Sequence, residues 1–187
     1  MTTPQEEIAA IRGACVPKSR TPEENKALCE KYPFLTWYGD PLYAGYDESS
    51  ELDYDYTWED EVPEGWRSAF CPQMWDELKA ILEKADYVNE FRFAQIKEKY
   101  GELRLYWCGA PNEIYDEVSA WEEKYMDLSV RTCIHCGKPA EYMTTGWITY
   151  VCEDCAKKSN DACIDVKDIE SYYDAPRDER KKFFKDF

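Results

Sequence analysis

The chain contains Cys133-Ile134-His135-Cys136, followed after fifteen intervening residues by Cys152-Glu153-Asp154-Cys155. Two C-x2-C pairs at this separation are typical of a zinc site, because each pair can turn two thiolates toward one metal ion. Four thiolates complete a tetrahedron and leave no position for a reacting water. We therefore expect one structural zinc ion, bound by Cys133, Cys136, Cys152 and Cys155.

The other cysteines and the single histidine bear on this prediction. His135 lies inside the first pair and is an alternative ligand, although four thiolates already suffice. The five remaining cysteines occur singly, and we interpret them as reduced, mostly buried thiols of a reducing compartment: Cys15, Cys29, Cys71, Cys108 and Cys163.

The composition restricts the class of protein and of partner. The 187 residues contain no apolar run long enough for a membrane span, and the first residues lack the pattern of a signal peptide, so we expect a cytoplasmic protein. The formal net charge of −16 repels polyanions, which argues against direct binding to DNA, RNA or an anionic membrane. The same charge favours a basic partner.

Residues 32–66 combine negative charge with aromatic rings. They contain ten carboxylates, ten aromatic residues and neither Lys nor Arg. Carboxylates can steer a basic partner and Tyr and Trp can anchor it, so we expect the nucleic-acid-binding face of another protein to dock here. The expected contact residues are Asp53, Tyr54, Asp55, Tyr56, Trp58, Glu59, Asp60 and Glu61. A solvated loop is the alternative, and a calcium site at Asp53 and Asp55 is a lesser one because further loop ligands are missing.

The periodicity of apolar residues predicts an α+β fold, with amphipathic helices packed on a β-hairpin or small antiparallel sheet and a C-terminal four-cysteine zinc ribbon. Helices are predicted at 22–31, at 67–85 with Pro72 near its start, and from about 112 to 129, with a weak one at 4–12. A hairpin within 91–107 turns at Gly101, and short strands at 141–143 and 147–151 form the ribbon. Residues 53–56 alternate with strand period, and 174–187 should form a frayed helix or a docking tail. We divide the chain into four parts. They are a helical and acidic N-terminal segment (1–66), a helix–hairpin–helix body (67–130), the zinc ribbon (131–160) and a charged C-terminal tail (161–187).

Lys97, Lys99 and Arg104 form a basic concentration that the hairpin brings together. They are candidates for binding a phosphate or carboxylate, which would make the protein a sponge for a small anionic nucleotide. The alternative is pairing with Glu98, with Glu102 and with the acidic segment 32–66.

Enzymatic activity finds little support in the residue types. Cysteine or serine catalysis needs a base, and the only histidine, His135, lies in the metal loop. Asp86, Gln95 and Lys97 only weakly resemble the clustered carboxylates and lysine of a metal-dependent nuclease site. We therefore expect a non-enzymatic protein, and an enzyme is the third of the functions considered.

The succession Gln95-Ile96-Lys97-Glu98-Lys99-Tyr100-Gly101-Glu102-Leu103-Arg104-Leu105-Tyr106, then a helix, then the two cysteine pairs with Trp147 between them, resembles a family of small bacteriophage and prophage proteins. The resemblance covers about residues 65–157, and it departs at Glu102, where a second glycine is expected. It implies a zinc ribbon and a phage context, and it supplies no catalytic residues. On this basis we expect an accessory protein that blocks or sequesters a host factor in the bacterial cytoplasm, such as an anti-defence inhibitor.

Overall fold

The computed structural model describes residues 20–38, 52, 54–185 and 187. Five helices and five strands are present in this part of the chain. The helices are α1 (Pro22–Lys31), α2 (Glu64–Glu83), α3 (Asn112–Val130), α4 (Glu153–Ala156) and α5 (Ile169–Asp174). The strands are β1 (Phe93–Lys99), β2 (Glu102–Trp107), β3 (Tyr142–Thr144), β4 (Tyr150–Val151) and β5 (Cys163–Asp165). Short 3₁₀ turns cover Pro33–Leu35, Trp58–Glu61, Val166–Asp168 and Arg177–Phe183. The predicted α+β class is confirmed.

Helix α1 begins where its local chemistry predicts. The Thr21 side chain accepts a hydrogen bond from the backbone N–H of Glu24, and the Glu24 side chain accepts one from the N–H of Thr21. This reciprocal capping box satisfies two N–H groups that have no partner inside the helix. Residue 33 is proline, and the helix ends before it.

Helix α3 packs against α2 and against strand β2, as the apolar stripes predict, and the Trp75 ring of α2 lies 5.9 Å from the Phe93 ring of β1. Indole N–H groups tie the elements together: Trp121 donates to the Met74 carbonyl at 3.0 Å, and Trp66 donates to the Thr132 carbonyl at 3.0 Å. The largest fully buried aromatic side chains are Trp66, Trp75, Tyr125, Phe34, Phe91 and Phe93. Because each ring buries a large apolar area, this cluster forms the main core.

The β1–β2 hairpin turns at Tyr100 and Gly101, which have φ of +57° and +78°. Positive φ at both central residues is the requirement of a type I′ turn, and glycine meets it without steric cost. The strands pair with Lys97 opposite Arg104 and with Ile96 opposite Leu105. The predicted turn position is therefore confirmed.

The C-terminal module is a three-stranded antiparallel sheet in the order β4-β3-β5. Strands β3 and β4 agree in place with the ribbon predicted at 141–151, whereas β5 was not predicted. Because β5 lies at 163–165, the ribbon sheet extends beyond the boundary expected at residue 160. Met143, Ile164 and Tyr172 form a second small core, on which Phe183 and Phe184 pack.

The chain after β5 docks on the ribbon. The Lys185 N–H donates to the Cys163 carbonyl at 2.9 Å, and the ring of Phe187 lies 5.2 Å from that of Tyr142. Residues 174–187 were predicted to form either a frayed helix or a docking tail, and these contacts correspond to a tail that docks on the ribbon.

Two glycines allow the ribbon to touch the rest of the protein. A Cβ atom on Gly65, at the start of α2, would lie 2.3 Å from the Cys133 carbonyl oxygen. One on Gly101 would lie 2.8 Å from the Tyr150 ring. Cβ atoms in proteins essentially never lie this close to another atom, so the backbone can come this near to the ribbon only if residues 65 and 101 are glycine.

Three sequence-based expectations differ from the structure. Helix α2 begins at Glu64, three residues before the predicted start, so Pro72 lies inside the helix and not in its first turn. Tyr54 has φ of +57°, so this residue does not have the extended conformation that the alternation of residues 53–56 suggested. The weak helix at 4–12 and residue Asp53 lie outside the described residues.

Among the helices of the described residues, none has both the length and the apolar character needed to cross a bilayer.

Candidate metal centre

The four cysteines of the two C-x2-C pairs come together at one point. One ligand atom from each lies within 4.8 Å of the other three, and the Cys136 Sγ is 3.5 Å from the Cys152 Sγ and 3.7 Å from the Cys155 Sγ. Sulfurs around a tetrahedral zinc ion, with bonds of about 2.3 Å, stand about 3.8 Å apart. The cluster is therefore compatible with one four-coordinate metal ion.

The backbone around each pair explains how the thiols converge. The first pair follows α3, and the Gly137 N–H donates to the Cys133 carbonyl at 2.9 Å to close a tight turn. The second pair spans the end of β4 and the start of α4, where the Cys155 N–H donates to the Cys152 carbonyl at 3.1 Å. The Ile134 N–H donates to the Tyr150 carbonyl at 3.0 Å and thereby fastens the first turn to β4.

The cluster is partly shielded from water. Cys133 and Cys152 are buried, Cys155 is half-buried and Cys136 is exposed. Burial, together with the neighbouring thiols of Cys136, Cys152 and Cys133, raises the pKa of the Cys155 thiol well above its usual range. Four thiolates at these distances would repel one another in the absence of a cation. A divalent metal ion relieves that repulsion.

The donor set restricts the metal and its role. Four soft thiolates suit zinc or iron, and a closed set of four is typical of structural sites. His135 is exposed and does not belong to the cluster, although it lies between two of its members. The chain therefore supplies four ligands for a metal without the histidine.

The predicted partner-binding residues differ in their exposure to water. Asp55 is exposed, and Tyr54, Tyr56 and Glu61 are half-buried. Trp58, Glu59 and Asp60 are only 4%, 7% and 7% exposed, so these three side chains do not lie on a surface that a partner could contact.

Ion pairs and a hydrogen bond compensate the burial of the Glu59 and Asp60 carboxylates. Arg20 pairs with both carboxylates, at 3.1 Å from Asp60, and Arg67 pairs with Asp60 at 3.2 Å. The Trp75 indole N–H also donates to Glu59 at 2.7 Å. Paired and hydrogen-bonded in this way, the two carboxylates can leave water, which single charges could not do. We did not identify Arg20 and Arg67 from the sequence, because both lie outside the arginine-free segment 32–66.

The predicted anion-binding residues do share the outer face of the hairpin, but each has a local contact. Arg104 pairs with Glu102, the Lys97 ammonium donates to Gln95 and lies 5.2 Å from the Tyr106 ring, and Lys99 lies 5.5 Å from the Tyr100 ring. The pair of Arg104 with Glu102 matches the alternative of ion pairing, whereas the contacts of Lys97 and Lys99 are with a glutamine and with aromatic rings.

Searches of this chain against protein-family models, curated proteins and solved structures gave no match.

Proposed function

We propose that the protein is a non-enzymatic binding protein, stabilised by one zinc ion, that blocks a basic, nucleic-acid-binding protein of the host. The observation that carries the proposal is an acidic stripe on α3. Glu113, Asp116, Glu117, Glu123 and Asp127 are all exposed, and their spacing places them within one third of the helix circumference. Lys124 lies in the same third, and its charge is paired with Glu77 of α2.

The stripe is long enough to resemble a run of phosphates. Its ends, Glu113 and Asp127, are fourteen positions apart in the sequence, which corresponds to about 21 Å along the helix axis. Lys84 and Arg131 pair with Glu117 and Asp127, whereas no ion pair to a described residue neutralises Glu113, Asp116 or Glu123. A basic groove that accepts a nucleic-acid strand would be attracted to these three carboxylates.

The stripe replaces much of the surface expected from the sequence. Trp58, Glu59 and Asp60 are interior residues, so the proposed recognition shifts from residues 53–61 to the outer side of α3. The apolar periodicity of residues 112–130 already identified the buried side of this helix. The carboxylates on the opposite side of the helix were the signal in the sequence that could have indicated this surface.

Zinc is the metal we propose for the four-cysteine cluster. In that role it holds the ribbon against the start of α2 and leaves no open coordination position for chemistry. Cys133, Cys136, Cys152 and Cys155 would bind it as thiolates.

A competition experiment tests the function. A fluorescent DNA duplex bound to a basic bacterial nucleoid protein is titrated with the zinc-loaded protein at low and high salt. We expect the duplex to be displaced, with a potency that falls as salt rises because the attraction is between charges. Failure to displace the duplex at low salt would refute the proposal.

A matched pair of variants locates the contact. Glu113→Gln with Asp116→Asn and Glu123→Gln should weaken displacement about tenfold or more, because three unneutralised charges are lost from one surface. The control is Glu170→Gln with Asp174→Asn and Asp178→Asn, three exposed carboxylates near the C-terminus. Both variants change the formal net charge from −16 to −13, so equal weakening would show that total charge alone is responsible and would contradict the stripe.

A further inference from the structure

A cleft of about 280 Å³ lies where four parts of the chain meet. Glu64 comes from the start of α2, Glu98 from β1, Ile134 and His135 from the first cysteine pair, and Trp147 from the loop between β3 and β4. The α2 helix, the hairpin and the ribbon all contribute to its walls, so the site exists only in the folded protein.

The Trp147 indole in this cleft is unusually accessible. It is 73% exposed, more than any other large hydrophobic side chain of the described residues, whereas Trp66, Trp75 and Trp121 are buried. A large aromatic ring left in water does not stabilise the core. Tryptophan is also the side chain whose face binds cations best and one of those most enriched at binding hot spots.

The charge in the cleft has one sign. Glu64 and Glu98 line it, and no Lys or Arg among the described residues does. One Glu98 carboxylate oxygen accepts a hydrogen bond from the Gly101 N–H, which orients this carboxylate at the tip of the hairpin. The Gly65 N–H, which could otherwise attract an anion to the start of α2, already donates to the Ile134 carbonyl at 3.0 Å.

The walls are held in place before any ligand arrives. The close approaches at Gly65 and Gly101 fix α2 and the hairpin tip against the ribbon. Ile134 and His135 lie between Cys133 and Cys136, so two residues of the four-cysteine cluster flank them in the chain. A preformed site loses little entropy on binding, so even a single side chain can be recognised.

We propose that this cleft binds an arginine side chain presented by an exposed segment of a partner protein, with the guanidinium on the Trp147 ring and its N–H groups directed to Glu98 and Glu64. A planar guanidinium stacks on indole and donates to carboxylates at once, which an ammonium does less well. The inference deepens the proposed function, since it takes the side chain from the basic partner inferred there.

A capped peptide, Gly-Ser-Gly-Arg-Gly-Ser-Gly, tests the cleft without that partner. Indole N–H signals of the ¹⁵N-labelled, zinc-loaded protein are followed by NMR during titration, and we expect a saturable shift of the Trp147 signal. Replacing the central arginine by citrulline keeps its shape and removes its charge. Binding of the citrulline peptide should be about tenfold weaker or undetectable.

Protein variants assign the contact. Trp147→Ala removes the reporting indole, so its binding is followed through the backbone N–H signals of Glu64, Glu98 and His135. It should abolish arginine-peptide binding and leave the fold intact, because the ring is exposed. Glu98→Gln, whose amide oxygen can still accept from Gly101, should weaken it severalfold. Tyr115→Ala, a 47% exposed aromatic side chain outside the cleft, serves as the control and should bind as the parent protein does.

Other outcomes would overturn the proposal. These are equal binding of the citrulline peptide, binding unaffected by Trp147→Ala, or sedimentation showing a dimer that Trp147→Ala converts to monomers, which would make the cleft an interface between two copies. Peptide binding without duplex displacement would instead refute only the proposed function. Displacement without peptide binding would refute only the cleft.

Discussion

Glu59 joins the aromatic core to the charged network beneath the 3₁₀ turn Trp58–Glu61. Its carboxylate accepts from the Trp75 indole and pairs with Arg20, which is 39 residues away in sequence. A buried pair of this kind contributes little net stability over an apolar replacement, but loss of one partner leaves the other charge uncompensated.

Glu59→Ala should therefore lower the free energy of unfolding by about 3 kcal/mol, because Arg20 and the Trp75 N–H lose their acceptor. Urea denaturation followed by tryptophan fluorescence measures the change. Glu113→Ala on the exposed side of α3 should change stability by less than about 0.5 kcal/mol. An equally mild effect at residue 59 would show that the network is not buried in solution.

Gly65 marks the contact between α2 and the first cysteine pair. Alanine favours a helix over glycine by about 1 kcal/mol, but its Cβ would lie 2.3 Å from the Cys133 carbonyl oxygen and 2.6 Å from the Ile134 backbone. Backbone atoms next to a metal ligand cannot move without disturbing the cluster, so the clash outweighs the helical preference.

We expect Gly65→Ala to destabilise the protein by about 2 kcal/mol and to weaken metal retention. Gly146→Ala is the matched control, since its Cβ would meet only the Asp161 carboxylate at an ordinary 3.6 Å. Thermal unfolding and competition with a zinc chelator measure both effects. Equal behaviour of the two variants would contradict the close approach.

At the scale of elements, Glu77 links α2 to α3. Its carboxylate accepts from the Lys124 ammonium at 2.6 Å and from the Tyr125 hydroxyl at 2.9 Å. Burial opposes its ionisation, but the hydrogen bonds from Lys124, Gln73 and Tyr125 outweigh that effect and lower the pKa of Glu77 below its usual 4.5.

Because the pKa of Glu77 is lower in the folded than in the unfolded protein, its ionisation stabilises the fold above about pH 4.5. This stabilisation is lost as the pH falls from there through the folded-state pKa. Glu77→Gln should thus be less stable than the parent protein at pH 7, and the difference should shrink in acid. Urea denaturation between pH 3 and 7 tests this, with Glu113→Gln as the exposed control. A difference that grew in acid would reverse the assigned direction.

The ribbon contacts several other parts of the molecule and is not a separate C-terminal module. Gly65 and Gly101 bring α2 and the hairpin onto it, and the chain after β5 docks on its other strands. A metal ion bound by the four cysteines would therefore stabilise contacts made by three parts of the chain.

Cys136→Ser should remove the bound metal and lower the melting temperature by roughly 10 °C or more, because the binding free energy of a structural zinc is folding free energy. Cys108→Ser, a second exposed cysteine outside the cluster, should retain one zinc per chain and melt normally. Metal analysis and calorimetry measure both. A metal-free protein with an unchanged melting temperature would refute the structural role of zinc.

The sequence by itself determined the features that depend on neighbouring residues. The spacing within each cysteine pair, the capping box at Thr21 and Glu24, and the glycine at the hairpin turn all act over at most four residues, so composition and periodicity were enough to place them.

Only the tertiary structure decided which charges are inside and which are exposed. Arg20 lies 39 residues from Glu59, and the walls of the Trp147 cleft come from four separate parts of the chain. A carboxylate looks the same in a sequence whether water or an arginine solvates it, because the partner that lowers its cost of burial is set by packing. For this reason the sequence showed that the chain is acidic, whereas the fold placed Glu59 and Asp60 in the interior and left the carboxylates on the outer side of α3 exposed.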